Sequence, residues 1–282
     1  MHSAMHKVEA SGAAIPALGL GTWTLRGDVC AEMVCHALSI GYRHVDTARM
    51  YDNEASVGDG LRASGVARGE VFITTKVWWT DIGSGDLERS AEASVRRLGL
   101  DQVDLLLIHW PNPKIPLAVS IRALNAVREA GLARHIGVSN FPTYMLAEAL
   151  RLSDAPLVAN QVEHHPYLGQ GKVLDLCRRN GLAMVSYCPL FRGGRLFSEP
   201  AVASAAERHG KTPGQVVLRW HVQQDGVVAI PRTTRLERLA ENADIFDFQL
   251  SAAEMAAISA LSSANLRLCD FDFRPEGGWD AP

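Results

Sequence analysis

Four side chains in the first part of the chain could cooperate in moving a proton: Asp46, Tyr51, Lys76 and His109. Asp46 and Tyr51 share the stretch "DTARMYDNE" (46–54), which follows the apolar-leaning His44-Val45 where a strand would end. Tyrosine is un-ionised at neutral pH, with an ordinary pKa of about 10. A neighbouring cation stabilises the phenolate and draws that value toward the working pH. Lys76 closes "VFITTK" and could be that cation, with Asp46 holding it charged and oriented. A placed general acid contributes about 10²–10⁴-fold. His109 closes "DLLLIH" and can donate or accept a hydrogen bond to a substrate oxygen, depending on its tautomer. A phenol donor, a lysine and a histidine without a metal suit carbonyl reduction, in which the oxygen takes a proton as hydride reaches carbon. Each also has a plain reading: Asp46–Lys76 as a structural ion pair, Tyr51 packed under a helix, His109 as a strand-end residue. Placement at one rim would favour the chemical reading of all four.

Such a rim requires particular elements. Short apolar runs predict strands over 17–20, 43–46, 71–76, 103–109, 135–139, 157–161, 183–187 and 227–231. Between them, segments of helical period cover 29–40, 55–63, 87–98, 117–130, 144–152, 172–179, 201–208 and 213–222, with 236–242 and 252–261 after the last strand. Glycines at 41, 99, 131, 181 and 226 stand just past helices. Eight strands alternating with helices predict an α/β fold of the TIM (β/α)8 barrel type, with extra helices and a short C-terminal tail. The competing open doubly wound sheet is weakened by the strand count and by the lack of a linker or a GxGxxG fingerprint. Chemistry in a barrel sits where strands end. Those ends carry Asp46, Lys76, His109, Ser139-Asn140, Gln161, Tyr187 and Arg232-Thr233-Thr234, a ring of polar groups after apolar runs.

At 282 residues, 47% hydrophobic and 21% charged, the chain reads as a single domain over 1–282 with a large core. A net charge of -3 argues against nucleic acid or an anionic membrane as partner. No run approaches about 18 apolar residues, so no membrane span is expected. The start, "MHSAMHKVEASG", lacks a secretory pattern, and a cytoplasmic location is expected. Cys30, Cys35, Cys177, Cys188 and Cys269 form no CxxC and read as reduced thiols, each a small buried hydrophobe. His164-His165 lack the spacing that completes a zinc site, so no metal is expected.

Two further features suggest ligand contacts. In "IPRTTRLERLAEN" (230–242), Thr234 and Glu237 fit a capping box, predicting a helix from Arg235 whose free N–H groups face the preceding loop. Arg232 and Arg238 would add charge to that anion site; an ordinary helix with a solvated basic face is the alternative. Trp23, Trp78, Trp79 and Trp110 lie just past strand ends and suggest an aromatic pocket wall, with core packing an alternative for Trp79.

The chain resembles the aldo-keto reductase family through "GLGTW" (19–23), "GYRHVDTARMYDNE" (41–54), "ITTKVW" (73–78), "LLIHWP" (106–111), "GVSNF" (137–141), "NQVEHHPY" (160–167) and "IPRTT…RLAEN" (230–242). Within the family it is most similar to short bacterial reductases of the 2,5-diketo-D-gluconate and methylglyoxal type. The resemblance implies a tetrad of Asp46, Tyr51, Lys76 and His109 with Tyr51 as proton donor, acting on small keto sugars, keto esters or 2-oxoaldehydes. It implies NADPH lying across the barrel mouth without a Rossmann domain. Gly21, Thr22, Trp23 and Asp46 would border it, and Ser139, Asn140 and Gln161 would hold its carboxamide under the ring of Tyr187. Pro189, Leu190, Arg192 and Gly193 fall in the loop over the pyrophosphate. Arg232, Thr233 and Arg238 would hold the 2′-phosphate, where the family often has lysine in place of Arg232; Ile230, Pro231 and Thr234 would also contact the cofactor, with Glu241 and Asn242 near the adenine. Trp23, Trp78 and Trp110, with Tyr51 and His109, would line the substrate pocket. A monomer is expected. A cofactor-binding regulatory subunit with little turnover is the alternative, disfavoured by the complete tetrad.

Overall fold

The computed structural model describes residues 6–281. Its first element is an antiparallel hairpin, β1 (Lys7–Ala10) and β2 (Ala13–Pro16). Eight parallel strands follow: β3 (Leu20–Gly21), β4 (His44–Asp46), β5 (Phe72–Val77), β6 (Val103–Ile108), β7 (Ala133–Ser139), β8 (Leu157–Glu163), β9 (Ala183–Tyr187) and β10 (Val227–Ala229), hydrogen-bonded in chain order. The helices are α1 (Gly27–Ser39), α2 (Glu54–Ala63), α3 (Asp86–Leu98), α4 (Leu117–Glu129), α5 (Thr143–Leu152), α6 (Gly171–Arg179), α7 (Pro200–His209), α8 (Pro213–Val222), α9 (Leu236–Ala243) and α10 (Ala252–Ser259).

The first barrel strand meets the last and closes the ring. Leu18 bridges Ala229 in parallel, and the Gly19 and Gly21 amides donate to the carbonyls of Ala229 and Pro231 at 2.9 and 3.0 Å. Gly21 has a steric reason to be there. A Cβ on it would stand 2.7 Å from the Ile230 carbonyl oxygen, so a side chain would push the closing strands apart. Closure also explains the strand sequences. β5, β6 and β8 are buried at every position, because helices cover one face and the barrel interior the other. Their apolar runs therefore show no alternation, and a polar residue within one must be satisfied inside the protein.

The helices dock by the expected stripes. α3 buries Leu87, Ala91, Ser94, Val95 and Leu98, a spacing of three and four, and stops at Gly99 in the left-handed conformation. α8 begins with Thr212 and Gln215 capping each other and Pro213 in the first turn. A second apolar cluster, including Val202, Val216, Trp220 and Ile258, joins α7, α8 and α10 outside the barrel. Among the described residues no helix is long and apolar enough to cross a membrane.

The hairpin was not among the expected strands. Val8, Ala10, Ala13 and Ile15 are buried in the main core, and the Ser11 hydroxyl donates to the Gly181 carbonyl just ahead of β9. The hairpin thus packs at the end of the barrel opposite the strand C-termini.

Candidate active site

At the mouth, Lys76 is fully buried and its ammonium has three partners. It donates to Asp46 Oδ1 at 2.6 Å, the Thr47 carbonyl at 2.9 Å and the Tyr51 hydroxyl at 3.2 Å. The other Asp46 oxygen accepts from Gln161 Nε2 at 2.7 Å. A buried ion pair is tolerable only when its remaining donors and acceptors are satisfied, and here they are. Burial lowers the Lys76 pKa, and the Asp46 carboxylate opposes that fall.

Tyr51 ends a short 3₁₀ turn, Arg49–Tyr51, and is half-buried at the rim. The Lys76 ammonium lies 4.8 Å from its ring centroid, and the His109 ring meets it edge-on at 5.6 Å. The expectation that Lys76 draws the phenol pKa down is corrected. Burial first, and the Asp46 charge next, hold Tyr51 well above the ordinary phenol value. The main reason is burial, which disfavours the charged phenolate, and the Asp46 carboxylate adds to it by repulsion. Tyr51 therefore keeps its proton.

His109 lies between Tyr51 and Trp78, 5.2 Å from the latter ring. Burial and the Lys76 charge push its pKa well below the ordinary value, so the imidazole is neutral and carries one N–H. Its Nδ1 is buried without a hydrogen-bond partner among the described residues.

Beyond the tetrad, hydrogen bonds continue around the rim. Asn140, with φ +64°, donates to the His109 carbonyl at 3.0 Å and accepts from the Tyr187 hydroxyl at 2.8 Å. It also donates to the Ser139 hydroxyl at 3.1 Å, which in turn donates to the Gln161 carbonyl at 2.8 Å. Ser139, Asn140, Gln161 and Tyr187 are thus brought together and joined through Gln161 to Asp46. On the β3 side, Thr22 donates to the Asp46 carbonyl at 2.9 Å beside Gly21, while Trp23 is 43% exposed at the opening.

The loop after β9 follows an unusual path. Phe191, Arg192, Gly193 and Gly194 all have positive φ, and the Pro189 carbonyl accepts from buried His221 at 3.1 Å. Leu190 is half-buried against the core. After β10, Ile230, Pro231 and Thr233 are buried while Arg232, Thr234 and Arg238 are exposed. The expected capping box is corrected. α9 starts at Leu236 with no side-chain cap, and it is the Thr233 hydroxyl that accepts the Arg235 N–H, at 3.0 Å. Thr233 can do this because its side chain turns inward and Thr234's does not. Arg232 donates to the Trp23 carbonyl at 3.2 Å and the Thr24 hydroxyl at 2.6 Å, tying the β10 loop to the β3 loop. Glu241 accepts from the Thr212 hydroxyl at 2.7 Å, and Asn242 is buried beside it on α9.

This donor set fits a dinucleotide. A hydroxyl and two side-chain amides converge near an aromatic ring, as a neutral carboxamide on a flat heterocycle requires. Two exposed arginines and the open start of α9 suit a phosphate. Among the described residues no three His, Cys, Asp or Glu side chains converge as metal ligands would. His164 and His165 are taken up separately, by Ser186 at 3.0 Å and Glu163 at 2.8 Å.

The aromatic wall is larger than the sequence suggested. Trp78, Trp79 and Trp110 surround Phe273 of the C-terminal tail at ring distances of 5.4, 5.5 and 5.3 Å. Trp110 also meets Phe271 and Trp279, so the three tryptophans and the tail aromatics form one cluster, with Trp79 stacked on Phe273. Sequence reasoning missed these tail aromatics and the residue that seats them. Glu163, fully buried at the end of β8, accepts from the Leu268 and Cys269 amides at 2.6 and 2.7 Å. The available signals were three aromatics within the last dozen residues and an acid closing an apolar strand.

A closed barrel whose mouth carries a lysine-bridged acid and phenol defines the class of protein. The Aldo/keto reductase family model matches residues 17–263, and the chain belongs to that family. It is 42% identical to a morphine 6-dehydrogenase of Pseudomonas putida, with 90% of each chain covered. It is 43% identical to a glyoxal reductase of Bacillus subtilis (89% of this chain, 91% of the relative). It is 42% identical to a methylglyoxal reductase of Salmonella typhi (94% and 99%). Among solved structures, one described as a candidate 2,5-diketo-D-gluconic acid reductase B superposes with a TM-score of 0.95 at 47% identity over 98% of both chains. A Bombyx mori aldo-keto reductase in complex with NADP gives 0.87 at 32% identity, covering 95% and 96%. The protein is an oxidoreductase enzyme whose family membership supports carbonyl reduction with a nicotinamide cofactor.

Proposed function

We propose that the enzyme reduces small aldehydes and ketones, such as 2-oxoaldehydes, keto sugars or keto esters, to alcohols, with NADPH as reductant and Tyr51 as proton donor. The observation that carries this reading is the Lys76 ammonium, which bridges Asp46 and the hydroxyl of a half-exposed Tyr51 at an open barrel mouth. Bound at that mouth, NADPH supplies the hydride. The residues of the chain do the rest. Neutral His109 donates its N–H to the carbonyl oxygen and sets its orientation. Tyr51 gives its proton to that oxygen as negative charge develops there. The resulting phenolate keeps the hydrogen bond from Lys76, which offsets its charge where water is scarce. Asp46 keeps Lys76 protonated against the cost of burial.

Ser139, Asn140 and Gln161 hold the carboxamide, with Tyr187 as the flat surface beneath the ring. Gly21, Thr22 and Trp23 form the opposite edge. The positive-φ loop bearing Pro189, Leu190, Arg192 and Gly193 lies over the pyrophosphate. Arg232, Thr233, Thr234 and Arg238, after Ile230 and Pro231, receive the 2′-phosphate, and Glu241 and Asn242 border the adenine. For this, Arg232 must exchange its bonds to Trp23 and Thr24 for the phosphate, a charge-assisted pair of greater strength. Trp23, Trp78 and Trp110 enclose the substrate. One chain builds the entire mouth, which supports a monomer as the working unit.

The test is NADPH consumption with methylglyoxal and a panel of small aldehydes, repeated with NADH and in Arg232→Ala. Turnover that prefers NADPH, with the preference reduced in Arg232→Ala, is expected. Tight NADPH binding without turnover of any carbonyl would favour a cofactor-binding regulatory role. A preference unchanged in Arg232→Ala would remove that arginine from the phosphate site.

A further inference from the structure

Cys35, Cys188 and Cys269 depart from the expectation of small buried hydrophobes, and the last two come together at the mouth. Cys30 and Cys177 meet it: both are buried, and burial pushes each thiol up to about 12. Cys188 and Cys269 are half-buried. Cys188 directly follows β9 and holds φ at +50°, a left-handed conformation that costs a non-glycine residue energy and is retained where the surroundings enforce it. Cys269 comes from the C-terminal tail. Its amide is fixed on Glu163 at 2.7 Å, and Glu163 is the register partner of Tyr187, the residue before Cys188. One buried carboxylate therefore sets the tail cysteine beside the strand end that the loop cysteine follows, and each thiol acts on the ionisation of the other.

The pair is chemically unequal. The neighbouring Cys269 thiol, helped by the Arg192 guanidinium, lowers the Cys188 pKa against the opposing effects of burial and Glu163. The same contact and burial raise Cys269, which stays a thiol. A thiolate-prone sulfur with a protonated thiol in contact is the arrangement found where oxidation is fast and ends in a disulfide.

We infer that Cys188 and Cys269 form an oxidisable dithiol, in which Cys188 attacks a peroxide and Cys269 resolves the product. In the first step the Cys188 sulfur attacks one peroxide oxygen and the O–O bond breaks. With a proton taken up, Cys188 becomes a sulfenic acid and water leaves. In the second step the Cys269 sulfur attacks Cys188, expelling the hydroxyl as a second water and forming the S–S bond. Two thiols lose two electrons and two protons, hydrogen peroxide becomes two waters, and a low-molecular-weight dithiol reverses the change by exchange. The disulfide joins the tail bearing Phe271 and Phe273 to the loop that begins at Pro189, fixing the pocket wall to the proposed cofactor loop.

The test is non-reducing peptide mapping of the intact protein after hydrogen peroxide treatment, with dimedone to capture sulfenic acid, and it needs no reductase activity. A Cys188–Cys269 cross-linked peptide, two hydrogens lighter than its parts and lost on dithiothreitol, is expected. In Cys269→Ser the reaction stops at a dimedone adduct on Cys188. In Cys188→Ser, Cys269 stays unmodified at the same dose. Oxidation of the half-buried Cys35 while Cys188 and Cys269 remain free thiols would overturn the inference. So would equal dimedone labelling of Cys269 in Cys188→Ser.

Discussion

Tyr51 and Lys76 are 3.2 Å apart, yet the lysine does not make the phenol acidic, because burial of the ring and the Asp46 charge outweigh it. The residues therefore store a proton on Tyr51 across neutrality. His109, pushed well below its ordinary range, adds no titration there. The account predicts a kcat for carbonyl reduction that is flat between about pH 6 and 8, where an ordinary histidine of pKa ~6.5 would give a step. A pH profile showing a step that disappears in His109→Gln would contradict the neutral assignment. The convergence of these four residues was legible because Asp46, Lys76 and His109 each interrupt or end an apolar run near a strand terminus and Tyr51 lies on the loop that follows Asp46. The direction of the Tyr51 shift was not. It depends on how completely Asp46 neutralises Lys76 and on how deep the ring lies, and neither is written in residue order.

At the scale of elements, the alternation of strand and helix was legible, since strands such as β5, β6 and β8 are buried on both faces and helices such as α3 carry one stripe. The hairpin β1–β2 escaped although its pattern, exposed Lys7 and Glu9 alternating with buried Val8 and Ala10, is that of a strand. Small, weakly β-forming residues hid it, and the signal was Ser11-Gly12, both with positive φ, a two-residue hairpin turn. The tail escaped because its order comes from Glu163 and the tryptophans, not from its own periodicity. Phe273→Ala should open the wall formed with Trp78, Trp79 and Trp110, raising KM for small carbonyls with a lesser effect on kcat. Steady-state kinetics with wild-type-like KM would detach the tail from substrate binding. Helix packing gives a second outcome: a Cβ on buried Gly58 of α2 would collide with the Leu98 carbonyl at the end of α3. Gly58→Ala should destabilise by about 1–3 kcal/mol, as overpacking does. A urea midpoint equal to wild type would show that the helices can move apart freely.

For the whole molecule, the same burial that tunes the mouth sets a limit in acid. His44 and His221 are fully buried, and burial depresses them from 6.5 to about 4 and about 3. Their folded pKa values lie below the unfolded value, so the unfolded chain binds more protons and stability is complete only above about 6.5. It is lost as pH falls through about 4 for His44 and on toward about 3 for His221. Each histidine kept neutral costs about 1.4 kcal/mol per pH unit in that window. Denaturation midpoints should therefore decline steadily from about pH 6.5 downward; midpoints constant to about pH 4 would mean that these rings accept protons within the fold.

The central claim is that Tyr51 donates the proton, and single-turnover reduction of methylglyoxal by enzyme preloaded with NADPH tests it most directly. Tyr51→Phe should bind NADPH as wild type does and transfer hydride about 10²–10⁴-fold more slowly, the usual worth of a placed general acid. A Tyr51→Phe enzyme that turns over at the wild-type rate would contradict the account.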